Sequence, residues 1–238
     1  MMKKWNIALL AVMAILFTAC EKVVGEGPVI TETRDLANFN GVDLRMNAKV
    51  YFKQEPQYKV EVKAQDNILE RLQTHVEAGN LIIKLRNDIR LGRHEEIVVN
   101  VSGPDLESLR VSGSGSIVTP SLIDADNGLE MDISGSGDID MVDLVSPSVD
   151  ANISGSGDIR IQTGMVPNEK LRISGSGNIN LANVLAKQVQ TTTSGSGNTR
   201  VSVSEQLRVT ISGSGNVYYK GQPTINTSIS GSGKVLAF

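Results

Sequence analysis

The sequence predicts an all-β fold, a parallel β-helix (β-solenoid) with coils of about 18–22 residues. Three observations carry this. Ser-Gly-Ser-Gly occurs seven times, beginning at Ser112, Ser134, Ser154, Ser174, Ser194, Ser212 and Ser230, at intervals of 22, 20, 20, 20, 18 and 18 residues. Apolar and polar residues alternate on both sides of each copy. The chain is rich in glycine (23 of 238 residues) and poor in aromatics (4%). A fixed period near twenty marks supersecondary units that bury their apolar faces only against their neighbours.

The chain begins with an address. Lys3 and Lys4 form a positive region, and Ile7 to Phe17 form an apolar run too short to span a bilayer comfortably. Thr18 and Ala19 before Cys20 match a lipobox, with Phe17 where Leu is usual. Cys20 is therefore expected to be lipidated and to become the new amino terminus. Each buried methylene would add about 0.8 kcal/mol of membrane affinity. Residues 1–19 read as a lipoprotein signal and 20–34 as the lipidated cysteine and its tether. A single domain is expected over 35–238.

Residues 35–108 lack the repeat but keep the alternation, as in Ala48, Val50 and Phe52, or Leu81, Ile83 and Leu85. They read as irregular early coils. Ile68, Leu69, Leu72 and Val76 fall at helical spacing, with Asn67 and Glu70 placed as a capping pair and Gly79 as a stop. A short helix here would cover one end of the stack. The carboxyl-terminal end has no such cover, which predicts self-association through an uncapped edge.

Residues 109–238 hold the regular coils. In the second copy, Leu129, Met131, Ile133, Ile139 and Met141 share one parity, while Asp132, Ser134, Ser136, Asp138 and Asp140 share the other. Period-two alternation means strand, one face inward and one outward. An unbroken strand of thirteen residues, roughly 43 Å long, exceeds one wall of such a coil. The glycines therefore form a corner between two walls. Leu122-Ile123, Leu144-Val145, Met165-Val166 and Val184-Leu185 suggest a third wall, although a two-sided coil also fits. Stacking sets identical positions about 4.8 Å apart, so Asn178, Asn198 and Asn216 form an amide column.

This layout of lipobox, early strands and Ser-Gly-Ser-Gly-Asp/Asn-Ile repeats, as at Gly177-Asn178-Ile179, resembles the head GIN domain family of auto-transporter adhesins, widespread in Bacteroidetes. The resemblance covers roughly residues 35–238. It implies a right-handed parallel β-helix and an adhesin class of function, and it supplies no catalytic residues.

Composition narrows the function classes further. Of 23 Lys and Arg, Lys3 and Lys4 lie in the signal, leaving 21 against 26 Asp and Glu, a formal charge of −5. No basic stripe exists, so nucleic acid is not an expected partner. One Cys and two His (His75 and His94, read as surface residues) give no metal or disulfide framework. No cofactor is expected. Calcium is disfavoured because only two of the seven copies carry Asp after the motif. Stacked carboxylates at Asp138, Asp140 and Asp158, with Arg160 beside Asp140, are the only enzyme-like constellation, and no walled cleft accompanies them.

The expected protein is thus non-catalytic, lipid-anchored in the cell envelope at the outer membrane, and adhesin-like or scaffolding. Its expected binding face is the ladder of Ser134, Ser136, Asp138, Ser154, Ser156, Asp158, Asn178, Asn198 and Asn216. Tyr218, outward on Val217-Tyr218-Tyr219-Lys220, is the best single aromatic contact. The partner would be a glycan or an envelope protein. The alternatives are a carbohydrate-active β-helix enzyme using the Asp stack, or a partner in envelope signalling.

Overall fold

The computed structural model describes residues 21–238. The expected signal and Cys20 lie outside the described residues. The chain opens with β1 (Glu21–Val23), β2 (Val29–Arg34), β3 (Gly41–Leu44), β4 (Lys49–Gln54) and β5 (Lys59–Gln65). A single helical turn, α1 (Asp66–Leu69), leads to β6 (Leu72–Glu77), β7 (Asn80–Leu85), β8 (Ile89–Leu91) and β9 (Val98–Gly103). The regular coils are β10 (Ser108–Gly113), β11 (Ser116–Asp124), β12 (Leu129–Gly135), β13 (Asp138–Val145), β14 (Ser148–Gly155), β15 (Asp158–Met165) and β16 (Asn168–Gly175). They continue through β17 (Asn178–Gly195), β18 (Thr199–Gly213), β19 (Val217–Lys220), β20 (Thr224–Gly231) and β21 (Val235–Ala237).

The coils form a parallel β-solenoid. Each strand pairs in parallel with its counterpart one repeat on, so like residues stack. In the first wall Val111, Ile133, Ile153, Ile173, Thr193, Ile211 and Ile229 form one column. In the second wall Ile117, Ile139, Ile159, Ile179, Thr199, Val217 and Val235 form another. Except in the last coil, these columns are buried and make the core. Each residue removes its apolar area from water only because a rung lies above and below, at about 25 cal/mol per Å².

The corner between the two walls needs glycine twice. Gly155 has φ +139, a conformation that L side chains rarely adopt, and a Cβ on it would collide with the backbone carbonyl of Gly135. Gly157 sits where its Cβ would collide with the Gly137 carbonyl. The rungs approach too closely there for any side chain.

A break in pairing between Thr119 and Leu122 marks a bend from the second wall into a short third one. In each of the four apolar pairs one residue faces inward and the other outward. Ile123, Leu144, Val166 and Val184 are buried, whereas Leu122, Val145, Met165 and Leu185 are exposed. The register of β17 against β18 slips between Leu181 and Leu185 and again between Ala186 and Gln188. The two residues missing from the 18-residue coils are therefore taken out at this bend, and the two long walls keep their register.

The expected helix over 67–79 is corrected. Only Asp66–Leu69 is helical, Gln65 is its N-cap without a side-chain cap bond, and β6 pairs antiparallel with β7. Leu72, Thr74 and Val76 alternate with Gln73, His75 and Glu77, which suits a strand as well as Ile68, Leu69 and Leu72 suit a helix. The turn decides between them. Ala78 (φ 48) and Gly79 (φ 78) are both left-handed, the signature of a two-residue primed hairpin turn whose twist matches its strands. His75 therefore lies on a strand. The end of the stack is closed by this hairpin on the first wall and by antiparallel β5 and β2 beside β9 on the second.

The expected tether is also docked. β1 pairs with β8, β2 pairs with β5, and Asn67 binds both the Val24 carbonyl (2.8 Å) and the Glu26 N–H (3.0 Å). Asn67 thus anchors the incoming chain in place of capping the helix.

Candidate ligand-binding face

The position after each Ser-Gly-Ser-Gly is a directed ladder. The Oδ1 atoms of Asp138, Asp158, Asn178, Asn198 and Asn216 accept the backbone N–H of the residue one rung on, Asp158, Asn178, Asn198, Asn216 and Lys234 respectively. From Asp158 to Asn198 the same oxygen also accepts the next side-chain Nδ2. All these bonds measure 2.9 to 3.3 Å. The glycine corner interrupts the strand ladder, and the Asx oxygen supplies the missing acceptor. Asn198→Ala is expected to strand the Asn216 N–H and to cost about 1–2 kcal/mol, seen as a lower denaturant midpoint at unchanged slope. Asn198→Asp, which keeps the acceptor, should cost less.

The carboxylates are engaged within the scaffold. Asp138 and Asp158 hold backbone N–H groups, and Asp140 accepts from Arg160 Nη1 at 3.3 Å. Ser134, Ser136, Ser154 and Ser156 stand exposed at the corner. Tyr218 is half-buried, edge-on to Phe238 (centroids 6.5 Å apart, planes at 82°) and beneath the Arg200 guanidinium at 5.0 Å. Arg200 and Phe238 thus take up part of its ring surface.

The outer face of the first wall is different. Two columns run side by side: Ser148, Asn168, Gln188 and Gln206, and Asp150, Lys170, Gln190 and Arg208. They line a shallow groove of about 490 Å³. At its near end the charges are mutually satisfied. Arg172 Nη1 lies 2.8 Å from Asp150, Lys170 Nζ lies 3.5 Å from the same carboxylate, and Asn152 joins Arg172 to Asp132. At its far end, among the described residues, Arg208 makes no ion pair and Gln190 makes no side-chain hydrogen bond. Amides and a guanidinium then face solvent together, a set that donates and accepts hydrogen bonds with hydroxyl-rich ligands.

Under the groove lies Glu169. It stacks between Val149 and Val189, is 3% exposed, and neither carboxylate oxygen has a hydrogen-bond partner among the described residues. Burial pushes its pKa well above the ordinary carboxylate value. Among the described residues no group of three or more His, Cys, Asp or Glu is placed to hold a metal.

A family model described as "Putative auto-transporter adhesin, head GIN domain" matches residues 38–223. The chain belongs to this family. The solved structures of similar fold include three described as a "putative adhesin" of Bacteroides fragilis, a "putative lipid binding protein" of Parabacteroides distasonis and a "putative adhesin" of Parabacteroides merdae. The first shares 22% identity at a TM-score of 0.84, over 91% of this chain and all of that one. The second shares 22% at 0.73, over 92% and 100%. The third shares 19% at 0.71, over 92% and 99%. At such identities they establish the fold. No curated protein matches the chain.

In this head GIN domain the sequence pointed to the repeat and missed the groove. Asn168, Gln188 and Gln206 recur at 20- and 18-residue offsets, like the motif itself, and Lys170, Gln190 and Arg208 do the same. That offset was the available signal. The residues it collects differ in type, so they do not read as a motif.

Proposed function

We propose that this head GIN domain is a non-catalytic, adhesin-like protein of the cell envelope, held to the membrane by lipid on Cys20, that binds an extended glycan along the outer face of its first wall. The observation that supports this is the groove, where Gln188, Gln190, Gln206 and Arg208 present polar groups that are unpaired among the described residues, on a hydrogen-bonded wall. A polymer with a repeating pattern of hydroxyls can run along such columns, each hydrogen bond adding modestly. The Asp stack serves the ladder, which removes the main support for a glycosidase reading.

The test is a glycan array read beside a polysaccharide turnover assay. Wild type should bind without turnover. The double variant Gln190→Ala/Arg208→Ala should bind about tenfold more weakly or worse at unchanged melting temperature. Turnover lost in Asp138→Asn would refute the proposal. The anchor is tested separately: lipid labelling and globomycin sensitivity should both disappear in Cys20→Ala.

A further inference from the structure

The two ends of the solenoid treat their strand edges differently. At the end nearer β2 and β6, the outermost strands carry charge: Glu32 and Arg34 on β2, Glu77 on β6. Charged edges discourage further pairing. At the other end β20 and β21 are outermost among the described residues, each paired on one side only. From Gly221 to Phe238 the sole charged side chain is Lys234.

The same rung exposes what every other rung buries. Ile225 stacks on Leu207 and Ile229 on Ile211, in columns that are otherwise core, yet they are 39% and 43% exposed. Leu236 and Phe238 add 39% and 53%. An uncharged edge of eight residues with its apolar row open to water is a template for one more strand.

The row is also self-complementary. Ile225 and Ile229 lie two residues either side of Thr227 and share its parity. A two-fold axis through Thr227 sets β20 antiparallel to its own copy. Ile225 then faces Ile229 of the second copy, and Ile229 faces Ile225. Symmetric dimers require this reciprocity of contacts. One row can therefore serve as both halves of the contact.

We propose that a second copy of this chain docks end to end on the β20–β21 rung, with β20 pairing antiparallel to its copy about Thr227. The inference goes beyond the glycan reading and does not depend on it, since the groove lies on the outer face of the wall.

The experiment uses the full chain extracted in detergent, with protein mass measured by sedimentation and light scattering at micromolar concentrations. Wild type should show twice the protomer mass. Thr227→Lys sets two inward ammonium groups opposite each other on the axis and should return the mass to that of one protomer. Thr227→Cys should cross-link to a dimer under mild oxidation, because directly opposed antiparallel residues lie within disulfide reach. The parent chain, whose only cysteine is Cys20, is the control. A protomer mass for wild type at every concentration would overturn the proposal. So would a dimer in which Thr227→Cys fails to cross-link, whatever the folding of Thr227→Lys, because that dimer uses another surface.

Discussion

Gly155→Ala should lower the melting temperature by roughly 8–16 °C, whereas Ser156→Ala beside it should leave it nearly unchanged. Two costs meet at Gly155. Its φ of +139 lies in a region essentially reserved for glycine, worth about 1–3 kcal/mol for any other residue. The added Cβ also runs into the Gly135 carbonyl, which belongs to the neighbouring rung and is held by its own hydrogen bond from Ser156 (2.8 Å). Overpacking of this kind costs about 1–3 kcal/mol more. A total near 4 kcal/mol is a large part of ordinary domain stability, and at about 2–4 °C per kcal/mol it gives the stated shift. Ser156 is exposed, so its truncation should fall within about 0.5 kcal/mol. Thermal unfolding followed by circular dichroism separates the two. Equal, small effects would mean that the corner is not sterically closed.

The second large effect has the opposite sign. Glu169→Val should stabilise the protein at neutral pH by about 2–3 kcal/mol, because it replaces an unpartnered buried carboxyl with the residue found above and below it in the column. The pH dependence identifies the cause. Burial raises the folded-state pKa of Glu169 well above its value in the unfolded chain. Below the unfolded pKa both states are protonated, and this contribution to stability is fully present. As pH rises past that point the unfolded chain releases the proton first, and stability is lost until the folded pKa is passed. Wild type should therefore lose stability on going from about pH 4 towards neutrality, and Glu169→Val should lose less. Glu169→Gln should also flatten the profile without gaining the full stabilisation, since an unpaired amide remains buried. Parallel profiles for wild type and both variants would show that Glu169 is solvated.

Much of the fold is legible in the sequence because a solenoid repeats one environment. Ile133, Ile153 and Ile173 announce the same inward position three times, and the glycines announce the same corner. Where the environment occurs once, the pattern is ambiguous. Ile68, Leu69 and Leu72 fit a helix face, and the same stretch through Glu77 fits an edge strand; β7 needed a partner, and the Ala78-Gly79 turn supplied it. The docking of the expected tether is hidden for a similar reason, since nothing local in Val29–Arg34 shows that β5 lies beside it. Glu169 shares the parity of Leu171 and Ile173, which points inward, while its charge points outward. Alternation prevailed because turning one residue out would break the register of the strand.

The site was less legible than the fold. Identical residues at Asn178, Asn198 and Asn216 attract attention, yet their chemistry is spent between rungs. Gln188, Gln190, Gln206 and Arg208 become neighbours only once the register is known, and their variety hides them.

If the Ser-Gly-Ser-Gly repeats build the scaffold and the groove binds the glycan, the repeat serines are dispensable for binding. The most direct measurement applies a variant with Ser134, Ser136, Ser154 and Ser156 all replaced by alanine to the glycan array that wild type binds. That variant should bind as wild type does and melt at the wild-type temperature. Loss of binding at an unchanged melting temperature would place the ligand on the repeat and contradict that expectation.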